Sequence, residues 1–268
     1  MTGQPAPEPP AWEVYALRYG TLPGRRRGEN VIGSPDPAAP MPMDYFIWLL
    51  RSPDRDVLVD TGFSIAEGAR RGRRTLVPVP DLLQSLGVDP DGVRDVMLTH
   101  LHYDHAGNVD TFPQATLWFQ RTELEFATGP AMAHPFFAEA YDLRAVASLR
   151  ASSLSRLRLV DGLTSPYPGI ELHRVGGHTG GLQVVRVHTE EGWYVLASDA
   201  SHFSENRETR RPFPIVADLA EMFAGWEACE RLASSPTLIV PGHDPAVLQA
   251  GSQAGPHADV RLLTPARP

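Results

Sequence analysis

The sequence predicts a single α/β domain of two mixed β-sheets with helices on the outer faces. Three observations carry that prediction. Apolar runs of strand length dominate each half of the chain, and helical stretches separate them. The 268 residues and 42% hydrophobic content suffice for one large core. No sustained repeat and no shift of composition marks a second domain.

Each element follows from local pattern. Residues 1–11, rich in proline, read as a flexible arm, and 12–268 as the domain. Residues 12–18 form a first strand. A long irregular segment, 20–43, contains GRRRGEN and SPDPAAPMP; loops of that length inside compact domains are often functional. Residues 45–50 and 57–59 are adjacent strands about the turn SPDR. A second irregular stretch, 64–78, carries Arg70, Arg71, Arg73 and Arg74. Residues 81–86 make a short helix stopped by Gly87. The strand 93–99 runs into a histidine cluster. Strand 115–120 precedes helix 122–127, and 136–149 is expected as one helix. Strands follow at 171–175, 182–189 and 193–197, the last two joined by EEG. Helix 217–232 and the short strand 237–240 complete the pattern.

Composition excludes several classes. A net charge of -8 argues against a general nucleic-acid binder, and a charged fraction of 21% argues against wholesale disorder. The lone cysteine, Cys229, precludes an internal disulfide framework and reads as an inert thiol on a helix. The N-terminus lacks the basic start and apolar run of a signal peptide. No stretch approaches the roughly 18 apolar residues of a membrane span. A cytoplasmic protein, monomeric or homodimeric, with a small-molecule substrate and no nucleic-acid or membrane partner is expected.

The chemistry concentrates in His100-Leu101-His102-Tyr103-Asp104-His105, directly after DVMLT. On a turn leaving a strand, alternate residues project to one side, so His100 and His102 converge. Asp104 and His105 face a second point where the chain bends. Neutral imidazoles and carboxylates are the ligands zinc takes. Three more candidates each end a predicted strand: His178 after ELHRVGG, Asp199 after WYVLAS, and His243 after TLIVPG. Chance placement would produce H-x-H-x-D-H in roughly one such chain in a thousand, so coincidence explains it poorly. His134, His173, His188 and His257 read as solvated or hydrogen-bonded residues without a ligand role.

The order HLHYDHAG, GGHTGG, SDA and PGHD, with LVDTG upstream, resembles the metallo-β-lactamase superfamily. Within it the chain looks most like the N-acyl-homoserine lactonase family, to which FQRTELEFA is also similar. The resemblance covers about residues 12–245. It implies an αββα sandwich with a two-metal site at one edge. His100, His102 and His178 would hold the first ion, Asp104, His105 and His243 the second, and Asp199 would bridge them. The ions would be two zinc, with manganese, cobalt or iron possible. Asp60 of LVDTG is similar to a buried aspartate that supports the ligands. Two departures stand out. Where the family places a tyrosine three residues after the bridging aspartate, this chain has His202, and GHSxGH becomes GHTGGL. Asp104 and His202 are the expected catalytic residues, His202 as proton donor to the leaving group.

The activity so implied is opening of a small lactone ring, an N-acyl-homoserine lactone or a relative, by a hydroxide bridging the ions. The alternatives are a thioesterase of glyoxalase II type and an iron-dependent persulfide dioxygenase on the same fold. From another class comes a non-catalytic binding protein, although such proteins usually lose ligands. Arg25–Arg27 and Arg70–Arg74 read as solvated charge, with recognition of a substrate carboxylate or phosphate as the alternative.

Overall fold

The computed structural model describes residues 8–152 and 155–266, so residues 1–7 of the expected arm lie outside the described residues. The first sheet collects β1 (Glu13–Leu22), β2 (Met43–Ser52), β3 (Arg55–Val59), β4 (Arg74–Thr75), β5 (Asp95–Met97), β6 (Thr116–Gln120) and β7 (Leu157–Val160). The second collects β8 (Leu163–Tyr167), β9 (Ile170–Arg174), β10 (Gln183–Thr189), β11 (Gly192–Ser198) and β12 (Ile239–Pro241). The chain then returns to the first sheet through β13 (Ser252–Gln253) and β14 (Val260–Leu262). Among the described residues the first sheet runs β13-β14-β1-β2-β3-β5-β6-β7, with β4 on β1, and the second runs β12-β11-β10-β9-β8. Both are mixed: β3, β5 and β6 pair in parallel, as do β11 and β12, while β1, β2 and β3 pair antiparallel.

Strand β2 shows why the two sheets stack. Its sequence MDYFIWLL is apolar on both faces, the signature of a strand covered on both sides. Phe46, Trp48 and Leu50 face the second sheet and pack with Ile170, Val185 and Leu196. Tyr45, Ile47 and Leu49 face the opposite way, into a layer shared with Leu82, Leu83 and Phe112. The helices lie outside: α1 (Ile65–Arg70), α2 (Val79–Ser85), α3 (Tyr103–Ala106), α4 (Arg121–Thr128), α5 (Pro135–Ala138), α6 (Leu143–Ala151), α7 (Ser204–Thr209) and α8 (Leu219–Leu232). α8 buries Met222, Gly225, Trp226 and Cys229 on one stripe, and Cys229 packs with Val184, Val195 and Ala197 of the second sheet. Burial pushes the Cys229 thiol up to about 12, so it is inert. Helix, sheet, sheet and helix therefore form four layers.

Several elements differ from the sequence expectation. The helix expected over 136–149 is two, α5 and α6, because Asp142 accepts a hydrogen bond from the Arg144 amide (2.9 Å) and starts a new helix. The break matters: Ala140 O accepts from Tyr103 N (2.9 Å), and Tyr141 bridges His102. Segment 64–78 contains α1, whose N-terminus Ser64 caps through Glu67 N (3.2 Å), and the two-residue β4. Strands β7, β8, β13 and β14 and helix α7 were not expected. The strand expected at 93–99 is regular only over Asp95–Met97, because the chain turns out of the sheet before the histidines. Among the described residues no helix is long and apolar enough to cross a membrane.

Candidate metal centre

The centre sits where parallel β3 and β5 end side by side. Asp60, just past β3, adopts a left-handed backbone with φ of 64°. Its carboxylate accepts from Thr99 N (2.7 Å) and Thr99 Oγ1 (2.8 Å), clasping the two strand ends together. Beyond Thr99 the chain presents His100, His102 and the one-turn helix α3 bearing Asp104 and His105. His178 comes from the loop between β9 and β10, Asp199 from the end of β11, and His243 from the end of β12. Ser198 is also left-handed, with φ of 46°, which turns Asp199 out of the sheet. A Cβ on Gly242 would meet Asp199 Oδ1 at 2.5 Å, so His243 comes this close only because glycine precedes it.

All seven candidate ligands are buried and converge. The Asp199 carboxylate lies between two sets of imidazoles. Its Oδ2 is 3.2 Å from His178 Nε2 and 3.8 Å from His100 Nε2. Its Oδ1 is 3.1 Å from His243 Nε2 and 3.4 Å from His105 Nε2. His102 Nδ1 lies 2.9 Å from His178 Nε2, and Asp104 Oδ2 lies 3.7 Å from His243 Nε2 and 3.8 Å from His105 Nε2. Among the described residues four overlapping groups lie close enough to hold a cation, including His100 with His102 and His178, and Asp104 with His105 and His243.

Hydrogen bonds behind the rings fix which nitrogen faces inward. His178 Nδ1 donates to Ile215 O (2.7 Å), His243 Nδ1 to Asp44 O (2.8 Å) and His105 Nδ1 to Asp60 Oδ2 (2.8 Å). Each leaves an Nε2 lone pair toward the centre. Thr99 Oγ1, whose own hydrogen goes to Asp60, accepts from His100 Nδ1 (3.1 Å). His100 Nε2, His105 Nε2 and Asp199 Oδ1 are buried without a hydrogen-bond partner among the described residues. Bare buried lone pairs converging from imidazoles and a carboxylate are what a zinc-type cation satisfies, so the residues fit such a group.

Electrostatics favour neutral rings at His100 and His102, whereas His105 holds a proton that a bound cation would have to displace. Burial, reinforced by the neighbouring histidines, holds His100 and His102 well below the usual imidazole range, as neutral ligands must be. Burial works against charge on His105 too, but Asp199, Asp60 and Asp104 outweigh it and raise its pKa well above the ordinary value. Asp199 is held well below the carboxylate range: burial opposes ionisation, and the surrounding histidines overcome it.

Glu123 was missed by sequence reasoning. At the start of α4 and fully buried, it accepts from Leu101 N (2.9 Å), Gly181 N (3.0 Å), Thr179 Oγ1 (2.6 Å) and Tyr141 Oη (3.2 Å). It thus ties the loop of His100 and His102 to that of His178. A Cβ on Gly181 would meet Glu123 N at 2.1 Å, so only glycine lets the His178 loop lie this close to α4, and Leu182 stands where the resemblance expects histidine.

His202 is fully buried, not solvent-facing. It stacks on Phe213 with ring centroids 3.6 Å apart, and its Nε2 donates to Asp199 Oδ2 (3.0 Å). Burial holds its pKa down at about 3 despite Asp199, so the ring is neutral. It is also close enough to group with His178 and Asp199 as a potential ligand, a role not expected from sequence. Of the remaining histidines, His173 bonds Glu171 (2.8 Å) and His188 packs on Trp193 with centroids 5.0 Å apart.

The centre opens into a cavity of about 310 Å³. Tyr45, Phe136 and Ile215 give it apolar wall, and Arg25, Arg71 and Arg73 also line it. The expectation of purely solvated charge fails for these three half-buried arginines, while Arg26, Arg70 and Arg74 are exposed.

A family profile described as the metallo-beta-lactamase superfamily matches residues 42–263. The N-acyl homoserine lactonase AiiA of Bacillus thuringiensis subsp. kurstaki is 28% identical over 188 residues, 64% of this chain and 69% of that protein. The N-acyl homoserine lactonase AttM of Rhizobium johnstonii is 32% identical over 130 residues, 44% of this chain and 49% of that protein. Among solved structures, a quorum-quenching N-acyl homoserine lactone lactonase gives a TM-score of 0.72 at 23% identity, covering 88% of this chain and 94% of that one. AidC, a dizinc quorum-quenching lactonase, gives 0.70 at 18% identity over 89% of this chain and 90% of its own. These structures share the fold.

Proposed function

The chain belongs to the metallo-beta-lactamase superfamily, and on that premise we propose that it opens the ester ring of a small lactone at a centre of two zinc ions. One observation carries the reading: imidazole lone pairs converge from two sides on the two oxygens of Asp199. The names of its relatives support the lactone, an N-acyl homoserine lactone or a related ring. A cavity of about 310 Å³ is at the size of a small-ligand site.

His100 Nε2, His102 Nδ1 and His178 Nε2 would hold one ion, and Asp104, His105 and His243 the other, with Asp199 shared. Such ions, when bound, supply a Lewis acid for the carbonyl and a source of hydroxide near neutral pH. The chain's part is to hold and orient. Asp60 and the carbonyls of Ile215 and Asp44 keep three imidazoles in the ligating tautomer. Tyr45, Phe136 and Ile215 limit water around the ring.

The proton-donor role expected for His202 gives way in this proposal to a positioning role. Its one ring hydrogen is directed at Asp199, so it fixes the rotation of the shared carboxylate. The proton for the departing alkoxide then comes from solvent.

The test is a hydrolysis panel of lactones, thioesters and β-lactams with zinc-loaded protein. Turnover of lactones in preference to the others is expected. Thioester or β-lactam turnover with the lactones untouched would overturn the reading.

A further inference from the structure

Arg25 and Arg73, both lining the cavity, carry charge that no carboxylate among the described residues meets at ion-pair distance. Arg25 is pinned by neutral acceptors: its Nε bonds Asn30 Oδ1, and its Nη2 bonds Glu29 O (2.9 Å). Asn30 is fully buried and is itself fixed by donating Nδ2 to Met41 O (2.9 Å). Arg73 is pinned the same way, its Nε on Tyr103 Oη (3.0 Å) and its Nη1 on Arg71 O (2.6 Å). Tyr103 offers a phenol oxygen, an uncharged acceptor near neutral pH.

The neighbouring arginines differ. Arg71 pairs with Glu67 at 2.6 Å, a carboxylate it shares with Arg70, and Arg27 pairs with Glu205. Among the described residues neither Arg25 nor Arg73 has a carboxylate at ion-pair distance. Asp104 acts on Arg73 only at longer range and is a candidate ligand. Of the other acids lining the cavity, Asp199 is a candidate ligand, and Glu139 is exposed and offers Arg71 its backbone carbonyl. A guanidinium aimed by neutral partners keeps its charge and its remaining N–H groups for something else. Half-burying two such charges in one cavity is unfavourable unless an anion enters.

We infer that Arg25 and Arg73 form an anion subsite beside the metal centre, and that the lactone taken here carries a carboxylate on its ring or substituent. The inference rests on the lactonase reading for the ring and on the two arginines for the charge. The carboxylate would occupy Arg25 Nη1 and Arg73 Nη2 while the apolar wall takes the ring.

The experiment compares two substrates of zinc-loaded protein: γ-butyrolactone bearing a carboxylate on the ring carbon beside the ring oxygen, and its primary amide. The acid is expected to be favoured in kcat/KM by about 10–100-fold, the range for hydrogen bonds to a charged group. Arg25→Gln and Arg73→Gln should each lower the acid-to-amide ratio about tenfold or more. Arg74→Gln, exposed and off the cavity, should leave the ratio in place. A wild-type ratio near one, or an unchanged ratio in Arg73→Gln at lower overall rate, overturns the inference. Calorimetric titration of a cyclopentanone carboxylate gives a readout free of turnover. If neither lactone is hydrolysed, the lactonase reading fails and the titration alone decides the subsite. Binding weakened about tenfold in both variants supports it; no binding to wild type, or equal binding to all, refutes it.

Discussion

Replacing Glu123 by alanine should destabilise the fold and loosen the metal centre together. The carboxylate is fully buried and accepts four hydrogen bonds. The hydroxyls of Thr179 and Tyr141 can rotate toward other acceptors, but the amides of Leu101 and Gly181 cannot. A buried donor left unsatisfied costs about 1–3 kcal/mol, so the two amides alone cost about 2–6 kcal/mol. Burial disfavours the charged carboxylate and raises its pKa, so its removal returns part of that cost. The net expectation is about 3 kcal/mol, or a Tm lower by about 6–12 °C at this chain length. Glu123→Gln keeps one acceptor oxygen and should lose about half as much. Thermal and urea melts of metal-free protein read the stability directly. Leu101 lies between His100 and His102, and Thr179 follows His178, so zinc affinity should also fall by about tenfold or more. A loss below about 1 kcal/mol with unchanged zinc affinity would refute the idea that Glu123 ties the two ligand loops.

Three further outcomes follow from the same geometry. Asp60→Asn cannot satisfy Thr99 and His105 at once, so zinc affinity measured against a competing chelator should fall about 10–100-fold; an unchanged affinity would remove Asp60 from its supporting role. His202→Ala should slow all substrates alike, and His202→Gln should restore part of the rate, because an amide N–H can still reach Asp199; a loss of about 10²–10⁴-fold confined to poor leaving groups, with both ions bound, would instead make His202 the proton donor. Glu67 is held at about 2, against a usual 4.5, chiefly by Arg70 and, against burial, also by Arg71. A depressed folded pKa gives stability that is present above the unfolded value and lost as pH falls through the folded one. With solvent screening at the exposed Arg70, about 2 kcal/mol should disappear between pH 4.5 and about 2 in metal-free protein and be missing in Glu67→Gln; parallel pH profiles of the two proteins would contradict it.

The sequence exposed the candidate ligands because they are local signals: one dense run after β5, and three residues each at or just past the end of a strand. Asp60 was legible only through the resemblance carried by LVDTG. Glu123 was not, since an acid opening an exposed-looking helix acquires meaning only when loops far apart in sequence close over it. Arg25 and Arg73 sat in segments that looked irregular, and only tertiary packing separates them from Arg26 and Arg74. The four-layer architecture followed from apolar strand patterning, whereas β4 and β13 are only two residues long and carry no periodicity to read. His202 was anticipated by its spacing from Asp199, but the stack on Phe213 that seals it from solvent is a long-range contact.

The most direct test of the account is the zinc content of the folded chain, measured by elemental analysis after reconstitution and removal of loose metal. Seven converging ligands in two sets around one shared carboxylate predict two equivalents per chain. His243→Ala should retain about one equivalent, because it removes a ligand from one set only. A wild-type protein that holds fewer than about one and a half equivalents even in excess zinc would contradict the two-ion centre.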